Sequence, residues 1–189
     1  MKQRVIAIIG GIGVGKTVVS TVLSKLGYSI YDCDSNAKRL MDNSDAIKRD
    51  IAFQISNEAI VNNQIDRKVL ANIVFNDEHK LEKLNKITHS AVKDDIIQWI
   101  GNSNDSIKFI ETAILYQSGL DKIVDEVWEV TAPMELRISR VMSRNNISRQ
   151  EVISRINSQL IEIENPHPNI KQIVNDLYTP IIPQILKLI

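Results

Sequence analysis

The first hydrophobic segment of the chain is a continuous apolar run that ends in glycines. Residues 5–9 read Val-Ile-Ala-Ile-Ile, and a β-branched run without polar alternation is typical of a strand buried on both faces of a parallel sheet. Residues 16–26 repeat their apolar positions at helical spacing, and Gly27 ends the predicted helix. A second short strand at residues 28–31 completes a βαβ unit.

Three further strands are predicted, at residues 107–110, 127–130 and 170–174. More than 70 residues separate the second strand from the third, and no convincing strand lies between them. The helical patterns in that stretch cover residues 35–42, 45–56, 66–76 and 77–100. Strands alternating with helices predict a doubly wound α/β fold with a five-stranded parallel sheet, and the long interval predicts a helical lobe inserted at the carboxyl edge.

Composition narrows the class of protein. The 189 residues carry 23 basic and 23 acidic side chains, and 43% of them are hydrophobic, which indicates one globular domain. Zero net charge argues against binding to nucleic acid or to a membrane surface. The single cysteine, Cys33, cannot form an internal disulfide, and no apolar run is long enough to span a bilayer. We expect a cytoplasmic protein without a membrane partner.

The glycines after the first strand belong to a phosphate-binding motif. Residues 10–17 read Gly-Gly-Ile-Gly-Val-Gly-Lys-Thr and fit G-x-x-x-x-G-K-[ST]. In such a loop the backbone amides surround phosphate oxygens, Lys16 reaches the β- and γ-phosphates, and the hydroxyl of Thr17 binds Mg²⁺. The dinucleotide motif G-x-G-x-x-G is excluded, because Lys16 stands where its third glycine would be.

Acidic residues follow two of the predicted strands. Asp32 and Asp34 end the second strand and Glu111 ends the third, at the edge of the sheet where ligands bind. Asp34 could accept a proton from an attacking hydroxyl or could cap the helix that follows it. Glu111 could hold Mg²⁺ or could cap the next turn.

The basic residues between 123 and 170 are all arginines. Arg137, Arg140 and Arg144 lie at positions i, i+3 and i+7, which places them on one helical face. Guanidinium groups suit phosphate oxygens, so Arg140 and Arg144 are candidates to clamp a nucleotide from a lid. For Arg137 and Arg155, a solvent-exposed face paired with nearby acids is the favoured interpretation.

These segments together resemble the dephospho-coenzyme A kinase family, and the likeness covers nearly the whole chain. Residues 10–17 resemble its G-G-I-G-S-G-K-S loop, residues 31–40 its D-x-D-x-x-A-R-x-L segment, and residues 65–77 its L-D-R and V-F-x-D stretch. Ile87-Thr88-His89 resembles its I-x-H-P, residues 111–120 its D-x-P-L-L-x-E-x-G-L, and residues 140–159 its arginine-rich lid.

The resemblance implies a P-loop NTPase-type, three-layer α/β/α fold with a helical substrate-binding lobe and a helical lid. The implied single domain, 1–189, has its core at about 1–34, 102–136 and 166–189, the lobe at about 35–101 and the lid at about 137–165. It also implies transfer of phosphate from ATP, with Mg²⁺ as cofactor, to the ribose 3′-hydroxyl of dephospho-coenzyme A, the last step of coenzyme A synthesis. These small molecules would be its only partners, and the protein would be a monomer or a small homo-oligomer.

Residue roles follow from the same resemblance. The catalytic residues would be Asp34 as base, Lys16 and Arg140. The nucleotide would contact Gly11, Ile12, Gly13, Val14, Gly15, Lys16, Thr17, Val18, Arg140, Arg144 and Asn175. The coenzyme substrate would contact Asp34, His89 and Arg67, although His89 could equally serve helix packing or capping. Thr17 and Glu111 would hold the metal.

The chain departs from the family pattern at several positions. Ser90 replaces a proline, Ala113 and Gln117 replace the proline and second acid of the third-strand motif, and the basic residues expected after Gln159 are missing. Two alternatives therefore stay open: a kinase of another nucleotide-like acceptor, and a nucleotide-binding module without turnover.

Overall fold

The computed structural model of the protein describes residues 3–159 and 163–189. The chain divides into two compact units, one formed by the segment up to Tyr31 together with Asn104–Ile189, the other by Asp32–Ser103. Within the described part of the chain, no helix has both the length and the apolar character needed to cross a membrane. The lid predicted at 137–165 includes residues 160–162, which lie outside the described residues.

The first unit is built on a five-stranded parallel sheet, which confirms the predicted fold class. The strands are β1 (Arg4–Ile9), β2 (Ser29–Asp32), β5 (Ile107–Glu111), β6 (Glu126–Thr131) and β7 (Ile170–Val174), in the order β2-β5-β1-β6-β7. Residues Val5 to Ile8 of the central strand β1 are all buried. An unbroken apolar run is therefore stable here, because helices or loops cover both faces of the sheet.

Among the described residues, the first unit has four α-helices: α1 (Lys16–Lys25), α6 (Met134–Asn145), α7 (Arg149–Asn157) and α8 (Ile181–Leu188). Helices α1 and α8 pack with the sheet around Phe109 and Trp128, whose ring centroids lie 5.1 Å apart. Helices α6 and α7 have a smaller core of their own, formed by Ile138, Val141, Val152 and Ile156. Ile12 of the phosphate loop packs against that second core.

The second unit is mostly helical. Its helices are α2 (Cys33–Asn43), α3 (Asp45–Gln54), α4 (Arg67–Phe75) and α5 (Glu78–Gly101). Ser44, Asp66 and Asp77 begin the last three, because each side chain accepts backbone N–H groups of the first turn. Ile51, Leu70 and Val74 lie in the shared core of this unit.

The prediction that this stretch contains no strand is wrong in one place. Ile60–Val61 (β3) and Gln64–Ile65 (β4) form a small antiparallel hairpin. Its two connecting residues, Asn62 and Asn63, both have positive φ angles, 50° and 59°. A two-residue type I′ turn requires that conformation, and asparagine tolerates it. The Asn-Asn pair is therefore the feature of the sequence that indicates this hairpin.

Candidate functional site

The phosphate loop connects β1 to α1 and passes close to two neighbouring elements. Gly13 has a φ angle of 81°, and a Cβ atom there would lie 2.7 Å from the carbonyl oxygen of Arg137. Gly15 has a φ angle of 93°, and a Cβ atom there would collide with the side-chain amide of Asn175. Both positions require glycine, for backbone conformation and for close approach.

The loop leaves backbone donors available at the start of α1. Gly15 occupies the N-cap position, where no side chain caps the helix, and the amides of Gly13, Gly15 and Thr17 donate to no described residue. The ammonium group of Lys16 donates to the carbonyl oxygen of Gly10 at 2.8 Å and so folds back over the loop. Uncapped amides at a helix N-terminus, next to a lysine, form a site for an anion.

Thr17 and Glu111, the two predicted metal ligands, lie next to each other. The hydroxyl of Thr17 donates to Oε1 of Glu111 at 3.1 Å. Glu111 accepts no backbone amide from the described residues, and the next turn is capped by Thr112, whose hydroxyl accepts the amide of Ile114 at 3.1 Å. A hydroxyl and a carboxylate are hard oxygen donors of the kind that Mg²⁺ prefers.

Two arginines of α6 contact the phosphate loop directly. Nε of Arg137 donates to the carbonyl oxygen of Ile12 at 3.0 Å. Nη1 of Arg140 lies 3.3 Å from the carbonyl oxygens of Gly13 and Val14, and its Nη2 donates to the side chain of Asn175 at 3.0 Å. Burial lowers the pKa of the Arg137 guanidinium, which nevertheless stays charged near neutral pH.

The arginines that contact the phosphate loop are only partly the ones that the sequence predicts. Arg137 contacts the loop, so the predicted exposed face paired with acids is wrong for this residue. Arg144 is exposed and donates to the side chain of its neighbour Asn145. The exposed pair with Glu135 is formed by Arg149, at 2.6 Å and 2.8 Å.

Three predicted substrate residues belong to the second unit. Asp34 is exposed in the first turn of α2, and Asp32, not Asp34, caps that helix by accepting the amides of Asp34 and Ser35. The capping alternative for Asp34 is therefore wrong. Arg67 pairs with Asp42 at 2.7 Å. His89 is partly buried in α5, and burial lowers the pKa of its imidazole, which favours the neutral form.

An apolar groove of about 680 Å³ opens beside the start of α1. It is lined by Val18 and Val22 of α1, by Asn175 and by the segment from Leu177 to Pro183. Leu177 and Tyr178 are 73% and 89% exposed, and Leu177 has a φ angle of 77°. A bulky residue in that conformation is strained, and strain of this kind concentrates at ligand sites.

Comparison with known proteins gives a consistent result. The family model described as dephospho-CoA kinase matches residues 4–179. A dephospho-CoA kinase of Bacteroides fragilis is 34% identical over 186 residues, which cover 97% of this chain and 90% of that protein. One from Porphyromonas gingivalis is 38% identical over 154 residues, covering 82% of this chain and 76% of that protein.

Solved structures agree with the fold. A crystal structure from Thermus thermophilus superimposes with a TM-score of 0.82 at 30% identity, covering all of this chain and 96% of the other. A dephospho-CoA kinase from Campylobacter jejuni gives a TM-score of 0.66 at 22% identity, covering 99% of this chain and 96% of that one.

Proposed function

This chain belongs to the dephospho-CoA kinase family, and we propose which of its residues bind the substrates and which take part in phosphoryl transfer. The enzyme transfers the γ-phosphoryl group of ATP to the ribose 3′-hydroxyl of dephospho-CoA, which gives CoA and ADP. The observation that carries our assignment is the phosphate loop, whose uncapped amides lie beside Lys16 and Arg140 in one unit.

The triphosphate binds along the phosphate loop. The amides of Gly13, Gly15 and Thr17 are available as donors, and the Lys16 ammonium can leave the carbonyl of Gly10 for the β- and γ-phosphate oxygens. Nη1 of Arg140 lies 3.3 Å from the carbonyl oxygen of Val14 in the same loop, so its guanidinium group offers a second positive charge. Hydrogen-bond donors and positive charges that are already in position stabilise the negative charge that develops on the phosphate oxygens during phosphoryl transfer.

The base of ATP occupies the groove beside Val18. Asn175 closes the loop end of that groove and donates to the carbonyl of Val14 at 2.8 Å, so the groove starts where the phosphate site ends. Its aliphatic lining and the exposed ring of Tyr178 suit a flat heterocycle.

Thr17 and Glu111 are the residues that would hold Mg²⁺, through the hydroxyl and, directly or through water, the carboxylate. The ion, when bound, would draw charge from the β- and γ-phosphate oxygens.

Asp34 acts as the base on the acceptor. Within the described residues no group donates to its carboxylate, which leaves both oxygens able to accept the 3′-hydroxyl proton. The 3′-oxygen then bonds to the γ-phosphorus, the bond from that phosphorus to the β,γ-bridging oxygen breaks, and ADP departs. Arg67 and His89 are proposed contacts of the coenzyme in the second unit.

An acceptor panel tests the function. Purified protein is incubated with Mg²⁺, ATP and either dephospho-CoA or a nucleoside monophosphate, and ADP and phosphorylated product are measured. We expect phosphorylated product with dephospho-CoA as acceptor and none with a nucleoside monophosphate. Phosphorylation of nucleoside monophosphates instead would indicate another kinase, and ATP binding without turnover on any acceptor would indicate a binding module.

A further inference from the structure

The α6–α7 pair holds one residue of the phosphate loop at three points. The side chain of Ile12 packs against the core of Ile138, Val141, Val152 and Ile156. Its carbonyl oxygen accepts a hydrogen bond from Arg137 at 3.0 Å. Its amide donates to Oε1 of Gln159 at 2.7 Å, a bond that bridges 147 residues of chain.

The position of Ile12 within the loop explains why its amide needs an outside partner. The amide of Val14 donates to the carbonyl of Gly11 at 3.4 Å, so residues 11–14 form a turn with Ile12 at its second position. The amide at that position has no partner inside a turn. Gln159 supplies the acceptor, while the amides of Gly13, Gly15 and Thr17 remain available for phosphate.

Gln159 is well placed to hold this amide because it extends α7. Its own amide donates to the carbonyl of Ile156 at 3.1 Å, and that of Ser158 donates to Ser154 at 3.0 Å. Val152 and Ile156 anchor the same helix in the α6–α7 core. The turn at residues 11–14 is therefore tied to a packed helix through one side chain.

We propose that Gln159 is a positioning residue, which fixes the turn of the phosphate loop so that the remaining amides are already oriented when ATP arrives. This inference rests on the proposed function, since it assumes that the loop binds the triphosphate. Preorganisation of a binding loop raises affinity by reducing the conformational entropy lost on binding. A neutral amide suits the position, because a carboxylate beside a triphosphate would repel it.

The test compares Gln159→Ala, Gln159→Glu and Ser158→Ala. Binding of ATP is titrated without acceptor, and kcat and the KM values for ATP and dephospho-CoA are then measured in the coupled assay. We expect Gln159→Ala to weaken ATP binding and raise the KM for ATP three- to tenfold, the worth of one hydrogen bond. Its kcat and its KM for dephospho-CoA should stay within about twofold.

The two other variants separate positioning from general damage. Gln159→Glu keeps an acceptor for Ile12 but adds a negative charge, so its ATP affinity should fall, and the ratio of its Kd to that of the wild type should shrink at higher salt. Ser158→Ala loses only a bond to the carbonyl of Arg155, so its ATP affinity should match that of the wild type. All variants should have the thermal midpoint of the wild type.

Two results would overturn the inference. One is an ATP affinity of Gln159→Ala within twofold of the wild-type value. The other is a loss confined to kcat or to the KM for dephospho-CoA. Because ATP binding is measured without acceptor, these results are distinct from failure of the proposed reaction, in which the wild type would bind ATP without phosphorylating dephospho-CoA.

Discussion

Arg140 and Asn175 are hydrogen-bonded to each other and to the same carbonyl oxygen of the phosphate loop. Nη2 of Arg140 donates to Oδ1 of Asn175 at 3.0 Å. Nδ2 of Asn175 donates to the carbonyl of Val14 at 2.8 Å, and Nη1 of Arg140 lies 3.3 Å from that oxygen. The triangle links α6, the loop after β7 and the phosphate loop, so each side chain positions the other.

Replacing Asn175 with alanine should weaken ATP binding through this triangle. Without the Asn175 side chain, the carbonyl of Val14 loses a hydrogen-bond donor and Arg140 loses an acceptor, at a position that is only 6% exposed. We expect this to lower the free energy of unfolding by about 1–3 kcal/mol and to raise the KM for ATP about tenfold. Steady-state kinetics at saturating dephospho-CoA measure the change. Asn157→Ala, at the exposed end of α7, is the control and should leave the KM unchanged.

The double variant Arg140→Ala, Asn175→Ala tests whether the two side chains act together. Its loss of ATP affinity should be smaller than the sum of the single losses, with an interaction energy of about 0.5–3 kcal/mol. Strictly additive losses would show that Arg140 and Asn175 act separately.

Thr17→Ala should change the dependence of activity on magnesium. The variant removes the hydroxyl proposed as a metal ligand, so we expect the Mg²⁺ concentration for half-maximal activity to rise by about tenfold or more, and Thr17→Ser to restore it. Thr21→Ala is the matched control, because its hydroxyl bonds to the carbonyl of Thr17 at 2.6 Å one turn along the helix. An unchanged magnesium titration for Thr17→Ala would contradict the assignment.

Asp34→Asn and Asp32→Ala should separate catalysis from helix capping. Asp34→Asn is expected to lower kcat by about 10²–10⁴, the usual worth of a positioned base, with ATP binding retained. Asp32→Ala removes the side chain that accepts the amides of Asp34 and Ser35, so it should destabilise the protein by about 0.5–2 kcal/mol. Rapid-quench kinetics and urea unfolding measure the two effects. A near-normal kcat in Asp34→Asn would refute its role as base.

The sheet and the phosphate loop could be predicted because their signals are local. The apolar run before Gly10 predicts a buried strand, and a lysine in a glycine-rich turn before a helix indicates a phosphate site. The proximity of Thr17 and Glu111 follows from the sheet order, because β1 and β5 are adjacent and parallel and their carboxyl ends meet at one edge.

The partners of the arginines could not be predicted from spacing. Positions i, i+3 and i+7 place Arg137, Arg140 and Arg144 on one face of α6, but which of them reaches the loop depends on tertiary packing. Ile12 packs against the core of α6 and α7, which brings the first two turns of α6 against the loop and leaves Arg144 in solvent. Sequence periodicity carries no information about that contact.

Glu126 should make the stability of the protein depend on acid pH. Burial alone would raise the pKa of this carboxyl group, but hydrogen bonds from Trp128, Arg4 and Asn169 outweigh burial and hold the pKa below its ordinary value of 4.5. Because the folded pKa is lower than the unfolded one, the stabilising contribution is complete above about pH 4.5 and is lost as the pH falls through the folded value. At neutral pH, Glu126→Gln should cost about 2 kcal/mol, since Arg4 loses its charged partner.

Urea unfolding of the wild type, Glu126→Gln and Glu129→Gln at steps from about pH 7 to about pH 3 tests this linkage. The stability difference between the wild type and Glu126→Gln should shrink in acid, because protonation of the wild-type carboxyl group removes the same charge as the substitution. Glu129 is half-buried on the same strand, and among the described residues its side chain accepts only a long bond from Gln172, so its variant should show a small difference. A Glu126→Gln difference that stays constant down to about pH 3 would mean that packing, and not the ionised carboxylate, makes the contribution.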